Sequence, residues 1–450
     1  MTIPSASLLE NARFNALVIV PNAVQGIFRR RRTAVAAATR LNVDGHARGL
    51  LAGMARSYGG GPVWVRVVRD PALLLLSPTD AHRALAGSPA PFASDPEPKR
   101  KGMCVFQPDA LTISRGELWR ARRGFTEAVL DTGRPLHRLA ERFAAAAAEE
   151  AVALATEAQA GGPATLAWEA WHRCFRRLTR RVVLGDAARD DEELSAQLAE
   201  LMSEANGMPG EPSEGYPELE ARIGAYVEAA DPQSLVGLFA EAPAGPETNP
   251  AGQVPHWLFA MQDTLAINAF RALALIASHP RQRAIMIEEL TGAATADGLG
   301  AESVARLVYL EGCLEEAMRL WPTTPMLSRE TLAETDWRGT AVPAGTQVLI
   351  SNTLFHRDRD RHAYADRFAP ERWVEGDAAE DWSFNHFSGG PQGCPGAGLT
   401  LFAGKALLAA LLRERGVGLE RPAIDPGRAL PDMLDFFALR FRLAPASVRA

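Results

Sequence analysis

The sequence predicts a mainly α-helical protein with small β-sheets, an α+β fold class. From residue 115 onward, most segments carry apolar residues at helical spacing. Short apolar runs near residues 60–90 and 325–352 are typical of strands. No shift in composition marks a linker, so we expect a single domain over residues 1–450. Its β-rich part would comprise approximately 60–90 and 325–352, and its helical part approximately 115–321 and 396–414.

The elements are predicted from periodicity and from breaking residues. Asp70 and Pro71 would form the turn between two strands, and Pro280 and Pro322 would each end the preceding helix. We predict strands at 63–68, 72–76, 328–335 and 346–352, helices at 119–130, 136–158, 166–184, 255–278, 301–321 and 396–413, a break at 161–163, loops at 206–216 and 241–255, and a terminal hairpin at 432–443.

Composition argues against several classes of protein. The chain has 48 basic and 54 acidic residues, a net charge of −6, and 47% hydrophobic residues, as in average globular proteins. Disordered, collagen-like and nucleic-acid-coating proteins are therefore disfavoured, and we expect no nucleic-acid partner. The four cysteines form no CxxC pair, which argues against a disulfide scaffold or a zinc ribbon. A functional cysteine would act alone.

An apolar stretch at residues 14–28, followed by four arginines at 29–32, resembles a membrane anchor only superficially. It is shorter than the ~20 residues of a spanning helix, and Pro21 and polar residues interrupt it. We expect no integral membrane span and a cytoplasmic location. Peripheral membrane contact through the basic segment is the alternative.

The most informative stretch is residues 387–396, FSGGPQGCPG, which we call the cysteine loop. Its glycines permit a tight turn around Cys394, immediately before a predicted apolar helix. The positive end of that helix would favour a thiolate, which suits an axial iron ligand shielded by Phe387. A buried structural cysteine after a glycine-rich turn is the competing interpretation.

The cysteine loop resembles the haem loop of the cytochrome P-450 family, F-x-x-G-x-R/H-x-C-x-G. Phe387, Gly390, Cys394 and Gly396 fill four of its five key positions, whereas Gln392 stands where the family has Arg or His. Two more family motifs follow the family's order. They are E-x-x-R at Glu316 and Arg319, and F-x-P-E-R-F/W at residues 368–373, whose Arg372 would complete a Glu-Arg-Arg cluster.

The resemblance, to the soluble bacterial type, implies a triangular-prism-like cytochrome P-450 fold enclosing haem b, with Cys394 as iron ligand. Trp119 and Arg123 match a propionate-binding W-x-x-x-R motif, and Arg329 matches a second propionate-binding arginine. Gln392 occupies a position that commonly contacts a propionate, but its amide is neutral.

The long predicted helix contains Ala260-Met261-Gln262-Asp263-Thr264, which is similar to the family's oxygen groove. There, Asp263 and Thr264 would relay protons through ordered water. Met261 replaces the usual glycine, and its bulk would narrow the groove.

The resemblance further implies a monooxygenase, an oxidoreductase using O2 and two electrons from a separate ferredoxin or flavodoxin with its reductase. Docking candidates for that partner are Arg120, Arg122, Arg357, Arg359 and Arg361. We expect a monomer that hydroxylates a lipophilic small molecule in natural-product biosynthesis, with oxidative coupling left open. The alternatives are an H2O2-using peroxygenase and a non-catalytic haem-binding or recruitment protein.

By analogy with the family, the substrate pocket would be walled by residues 92–112, 198–227, 260–266, 323–326 and 435–437. The side chains in these segments are mostly apolar, which suits a lipophilic substrate. They include Phe106, Met208, Tyr216, Met261, Leu265, Met326, Phe436 and Phe437.

Overall fold

The computed structural model describes residues 2–159, 164–207, 209–294 and 298–445, and it has the predicted α+β architecture. Its first helix begins at Ser7, which forms a reciprocal capping box with Glu10. From the amino terminus the elements are α1 Leu8–Phe14, α2 Val20–Gln25, α3 Arg32–Arg40, α4 Val43–Ser57, β1 Val63–Val67, β2 Asp70–Leu75, α5 Pro78–Ala86, β3 Phe92–Ala93, α6 Glu97–Met103, α7 Gly116–Val129, α8 Ala140–Gln159, β4 Thr165–Ala167 and α9 Trp168–Leu184.

The second half of the chain alternates longer helices with short strands. Its elements are α10 Glu192–Ala205, α11 Tyr216–Ala229, α12 Val254–Phe259, α13 Ala266–Ser278, α14 Pro280–Ala293, α15 Ala301–Ala305, α16 Val308–Leu320, β5 Met326–Thr331, β6 Thr335–Trp337, β7 Thr340–Val342, β8 Gln347–Ser351, α17 Asn352–Phe355, α18 Glu371–Val374, α19 Ala397–Glu414, β9 Arg415–Arg421 and β10 Arg440–Pro445.

Most predicted elements are present, and the differences are local. The turn between β1 and β2 is formed by Val68 and Arg69, whereas Asp70 already pairs with Val67. Residues 165–167 form β4 instead of helix, and the predicted helix 301–321 is interrupted between α15 and α16. The predicted break at 161–163 lies outside the described residues.

The predicted terminal hairpin at 432–443 is wrong. Its first half forms a short 3₁₀ turn, Phe436–Ala438, and its second half is the strand β10. Strand β10 pairs antiparallel with β4 and β9, which come from distant parts of the chain. A long-range partner, rather than a local turn, therefore satisfies its backbone.

The sheets and the helices bury separate apolar clusters. Within the described residues, the main sheet has the strand order β1-β2-β8-β5-β3, and helices α1, α4 and α5 contribute to its core. The helical core is built around α8, α9, α13, α16 and α19. Its centre holds an aromatic stack in which Phe270 lies 5.2 Å from Trp171 and 5.0 Å from Phe441, between ring centroids.

The predicted long helix at 255–278 is one helical rod with a wider turn inside it. Helix α12 passes into a π-helical turn, Ala260–Leu265, which continues as α13. The rod ends at His279 because Pro280, which starts α14, cannot continue it. A π turn is a common way of redirecting side chains at a functional site.

A buried ion pair fixes α16 to the segment that precedes the cysteine loop. Glu316 and Arg319 are both fully buried, and the guanidinium donates to the carboxylate at 2.8 Å (Nη2 to Oε2). Arg319 also donates to three backbone carbonyls, those of His356, Ala365 and Arg367. All the charges are therefore compensated by hydrogen bonds, as a buried pair requires.

The predicted role of Arg372 in this cluster is wrong. Its side chain is 42% exposed and pairs with Glu375 and Asp377. Its place beside Glu316 is taken by Trp373, whose indole N–H donates to the carboxylate at 3.0 Å. In the short helix α18, these neighbouring residues point in different directions, and only the apolar one is packed against α16.

Across the described ranges, none of the helices combines the length and the apolar character needed to span a membrane.

Candidate haem-binding site and active site

One large cavity, about 810 Å³ in volume, lies between the helical core and the main sheet. It is bordered by α7, α9, the π turn, β5 and the cysteine loop, which supply the side chains described below. Its volume falls in the ~300–1,000 Å³ range of sites for small molecules and cofactors.

The cysteine loop is tight because its glycines contact neighbouring backbone. Gly390 has φ +66°, and a Cβ on it would lie 2.2 Å from the carbonyl oxygen of Leu85, at the end of α5. The Cys394 N–H donates to the Phe387 carbonyl at 2.9 Å, which closes the loop. Arg123 donates to the Gly393 carbonyl at 2.7 Å. These contacts place Cys394 on the cavity wall just before α19.

The protein groups alone do not favour a thiolate at Cys394. Burial raises the pKa of its thiol, although the Gly396 N–H and the Arg123 charge act in the opposite direction. The Gly396 N–H at the start of α19 thus acts on the thiol in the predicted direction, but burial outweighs it. A metal cation at the sulfur would reverse this balance, because coordination deprotonates a thiol outright.

A buried arginine that contacts the cysteine loop adds positive charge to the cavity wall. Arg329 on β5 is only 3% exposed, and it donates to the hydroxyls of Ser88 (3.0 Å) and Ser388 (2.8 Å). No carboxylate of the described residues forms an ion pair with it, and burial lowers its pKa to about 10. Lys99, which motif analysis did not single out, borders the same cavity.

The other predicted cofactor contacts also border the cavity. Trp119 and Arg123 lie on α7, one turn apart, and the Arg123 Nε contacts Glu127 at 2.6 Å. Phe387 lies beside Cys394 at the cavity wall. Gln392 is buried, and its Oε1 has no hydrogen-bond partner. Rotating the Gln392 amide by about 180° would place its NH₂ group, a donor, where Oε1 now lies.

The π turn supplies the predicted proton-relay residues. Asp263 and Thr264 both border the cavity, as does the buried Met261. The Asp263 carboxylate is not free, because its Oδ1 lies 3.0 Å from Nε2 of His172 on α9. His172 could not be predicted as a site residue, since nothing in its local sequence indicates that α9 packs against the π turn.

The predicted substrate walls are partly wrong. Met261, Leu265, Met326, Phe436 and Phe437 border the cavity as predicted, but Phe106 and Tyr216 are packed in the helical core. None of the described residues within 198–227 reaches the cavity, and Met208 lies outside the described residues. Their place is taken by aromatic and basic side chains of other segments, including Phe28, Arg29, Arg30, Arg32, Trp168, His172 and Trp257.

Two of the five predicted docking arginines are not on the surface. Arg122 is 5% exposed and contacts Ser114 and Asp109, and Arg357 is 4% exposed and contacts Asp366. Arg120, Arg359 and Arg361 are exposed.

A comparison with protein families matches the part of the chain that contains the cysteine loop. The model of the family described as cytochrome P-450 matches residues 246–419, a range that contains Asp263, Thr264, the Glu316 and Arg319 pair, and Cys394. This part of the chain matches the cytochrome P-450 family.

Curated cytochromes P-450 resemble the same part of the chain. Cytochrome P-450 4c3 of Drosophila melanogaster is 28% identical over 167 residues, covering 36% of this chain and 31% of that protein. Cytochrome P-450 714C3 of Oryza sativa subsp. japonica is 31% identical over 193 residues, covering 39% of this chain and 37% of that protein. The match thus spans about a third of each relative's length.

Members of the cytochrome P-450 family bind haem b through a cysteine thiolate. The residues of this cavity fit that group. Cys394 offers one sulfur ligand, and the buried Arg329 offers a guanidinium whose hydrogen bonds go only to hydroxyls and a carbonyl. Lys99 and Arg123 add positive charge at the same cavity, as the two carboxylates of haem b require.

Proposed function

We propose that this protein is a cytochrome P-450, a haem-thiolate monooxygenase that uses O2 and two electrons to hydroxylate a lipophilic small molecule. One observation carries the proposal: Cys394, Arg329, Asp263 and Thr264, which come from three different motifs, border the same cavity. Haem bound through a thiolate would supply O2 activation, because an electron-donating sulfur favours cleavage of the O–O bond.

The roles of the protein residues follow from their positions. Cys394 would hold the iron, with Phe387 and Gly396 shaping its surroundings. Trp119, Arg123 and Arg329 would bind the propionates, and the Gln392 amide would contribute a neutral hydrogen bond. Asp263 and Thr264 would move protons from solvent into the cavity.

The substrate would occupy the part of the cavity walled by Trp168, Phe436, Phe437 and Trp257. The rings of Trp168 and Phe436 meet edge to face at 4.6 Å, and Phe436 and Phe437 lie 4.1 Å apart. Such a wall excludes water and binds an apolar molecule, which supports a lipophilic substrate. We place the reaction in natural-product biosynthesis, as hydroxylation or oxidative coupling.

We also propose that residues 1–450 form a single domain, because the cavity draws its walls from nearly the whole length of the chain. The protein would act as a cytoplasmic monomer of the soluble bacterial type. A separate ferredoxin or flavodoxin, with its reductase, would supply the electrons. Size-exclusion chromatography and cell fractionation test the monomer and its location.

The test of the central proposal is the absorption spectrum of the reduced, CO-bound protein. We expect the Soret band typical of thiolate ligation in the wild type, and its loss in Cys394→Ser. Cys104→Ser is the matched control, because Cys104 is partly exposed and does not border the cavity. A wild type without this band, or a Cys394→Ser variant that keeps it, would contradict the proposal.

A peroxygenase is the second candidate, because the buried Met261 side chain borders the cavity at the π turn, where the family's oxygen groove usually has glycine. The contact between Asp263 and His172 favours O2, since a supply of protons is needed to activate O2 rather than peroxide. Product formed with H2O2 alone, compared with product formed with O2, ferredoxin and reductase, distinguishes the two activities.

A further inference from the structure

His172 contacts the predicted relay carboxylate directly. Its Nε2 lies 3.0 Å from Oδ1 of Asp263, and the two side chains are 24% and 23% exposed. Both residues border the cavity, together with Thr264. The imidazole is thus placed to exchange a proton with Asp263 while remaining accessible to water in the cavity.

The packing of α9 fixes the imidazole in this position. Trp171, the preceding residue, donates its buried indole N–H to the Ala266 carbonyl at 2.9 Å, which anchors α9 beside the π turn. Trp168, one turn earlier, stacks on the His172 ring with centroids 4.9 Å apart and planes at 16°. The ring is therefore held on one face by an indole and at one edge by the carboxylate.

We propose that His172 is the positioning residue of Asp263: it holds the carboxylate towards the cavity and reloads it with protons. The proposal rests on the proposed monooxygenase function. In each transfer, the imidazolium form of His172 loses its Nε2 proton to the Asp263 carboxylate, so the N–H bond breaks, an O–H bond forms and both groups become neutral. The carboxylic acid then releases that proton on the Thr264 side, and the neutral imidazole regains a proton from bulk solvent through cavity water. Imidazole suits this role because each of its two ring nitrogens can carry a proton.

Other charged groups lie around the pair. Arg176, one turn after His172, feels the charge of Asp263 and pairs with Glu192 at 2.9 Å. Glu169 pairs with Arg32, whose guanidinium lies 5.0 Å from the Phe437 ring. The remaining groups are Arg173 on α9, which pairs with Glu157, and Asp435 next to Phe436.

Two substitutions separate holding the carboxylate from reloading it. His172→Phe keeps an aromatic ring for Trp168 but removes the hydrogen bond. His172→Gln keeps an N–H donor for Asp263 but cannot exchange protons. The matched control is His82→Phe, because His82 also stacks on a tryptophan, Trp382, at 3.7 Å and does not border the cavity.

The first measurement is the fraction of consumed electrons recovered in product. We expect His172→Phe to lower this coupling roughly tenfold, less than the loss of a direct proton donor would, because phenylalanine neither holds nor reloads the carboxylate. His172→Gln should also lower the coupling, because glutamine holds the carboxylate without reloading it. Wild-type behaviour in His172→Gln, or an equal effect of His82→Phe, would overturn the proposal.

The second measurement needs no turnover. Nitrogen-15 NMR of the imidazoles should show His172 as the Nε2–H tautomer in the wild type, and a mixture of tautomers in Asp263→Asn. A tautomer that does not depend on Asp263 would overturn the proposal without affecting the proposed function. Absence of the Soret band typical of thiolate ligation in the reduced, CO-bound protein would instead disprove the proposed function. The contact between His172 and Asp263 could still be measured in that case.

Discussion

Lys99 lies close enough to Arg329 for the two positive charges to interact. Burial, and secondarily the charge of Arg329, lowers the pKa of its ammonium to about 7, although Asp95 opposes the shift. Unfolded lysines titrate near ~10.4. Between those pH values the folded protein binds fewer protons than the unfolded chain, so this residue makes the protein more stable as pH rises through that window. A carboxylate placed beside Lys99 would restore its positive charge.

We therefore predict that haem b binding at about pH 8.5, within that interval, is accompanied by proton uptake at Lys99. Calorimetric titration of the haem-free protein in two buffers of different ionisation enthalpy measures the number of protons. Wild type should take up about one proton more than Lys99→Met, since the proton released at Cys394 is common to both.

Lys101→Met is the control, because Lys101 is on the same helix, pairs with Glu97 and is 54% exposed. It should bind haem with wild-type proton uptake. Equal proton uptake by the wild type and Lys99→Met would show that no carboxylate of the cofactor reaches Lys99.

At the scale of the element, α16 is held by a buried pair whose partners could be predicted only in part. The spacing of Glu316 and Arg319 predicts that they share a helix face, and the structure confirms it. The third member could not be predicted from spacing. Whether Arg372 or Trp373 contacts Glu316 depends on how α18 packs against α16. Burial of the indole ring is favourable, so Trp373 is the residue that contacts Glu316.

We predict that Arg319→Met lowers the free energy of unfolding by about 3–5 kcal/mol, because Glu316 is left as a buried, unpaired charge. Arg372→Ala should cost ~0–1 kcal/mol, as expected for exposed ion pairs. Urea denaturation monitored by circular dichroism compares the two. A large loss in the free energy of unfolding of Arg372→Ala would show that this residue belongs to the buried cluster after all.

The helices were the most predictable elements, whereas long-range contacts were not predictable. Pro280 fixes the end of α13 through local sterics, so the sequence is sufficient there. The partners of β10, by contrast, lie on β4 and β9, and only tertiary packing brings them together. The same limit explains the candidate site. Cys394 was found from its own loop, but His172 and Lys99 are connected to it only through the fold.

At the scale of the whole molecule, the surface beside the cysteine loop carries exposed arginines despite the net charge of −6. Arg120 on α7 is 62% exposed, and Arg134 is 61% exposed. Arg134 lies just after Thr132, whose hydroxyl donates to the Pro395 carbonyl at 2.7 Å. Arg120 lies one turn before Arg123, which donates to the Gly393 carbonyl. Both arginines are therefore near the loop that would hold the haem iron, where an acidic electron donor would dock.

We predict that reduction by an acidic ferredoxin slows as ionic strength rises, because salt screens this attraction. Arg120→Glu together with Arg134→Glu should lower the rate at low salt roughly tenfold. Stopped-flow absorbance follows the reduction. Arg69→Glu, in the exposed turn between β1 and β2, is the control. A salt-independent rate, or an equal effect of Arg69→Glu, would argue against docking on this surface.

The close contact between Gly390 and Leu85 has a mechanical consequence. Backbone touches backbone there, with no side chain between them that could yield by changing its rotamer. A small displacement of α5 would therefore be transmitted to the cysteine loop almost undiminished. Helix α5 directly follows β2, an interior strand of the main sheet. The position of the proposed iron ligand, Cys394, is thus set by the stiffness of a sheet to which the loop itself contributes no strand.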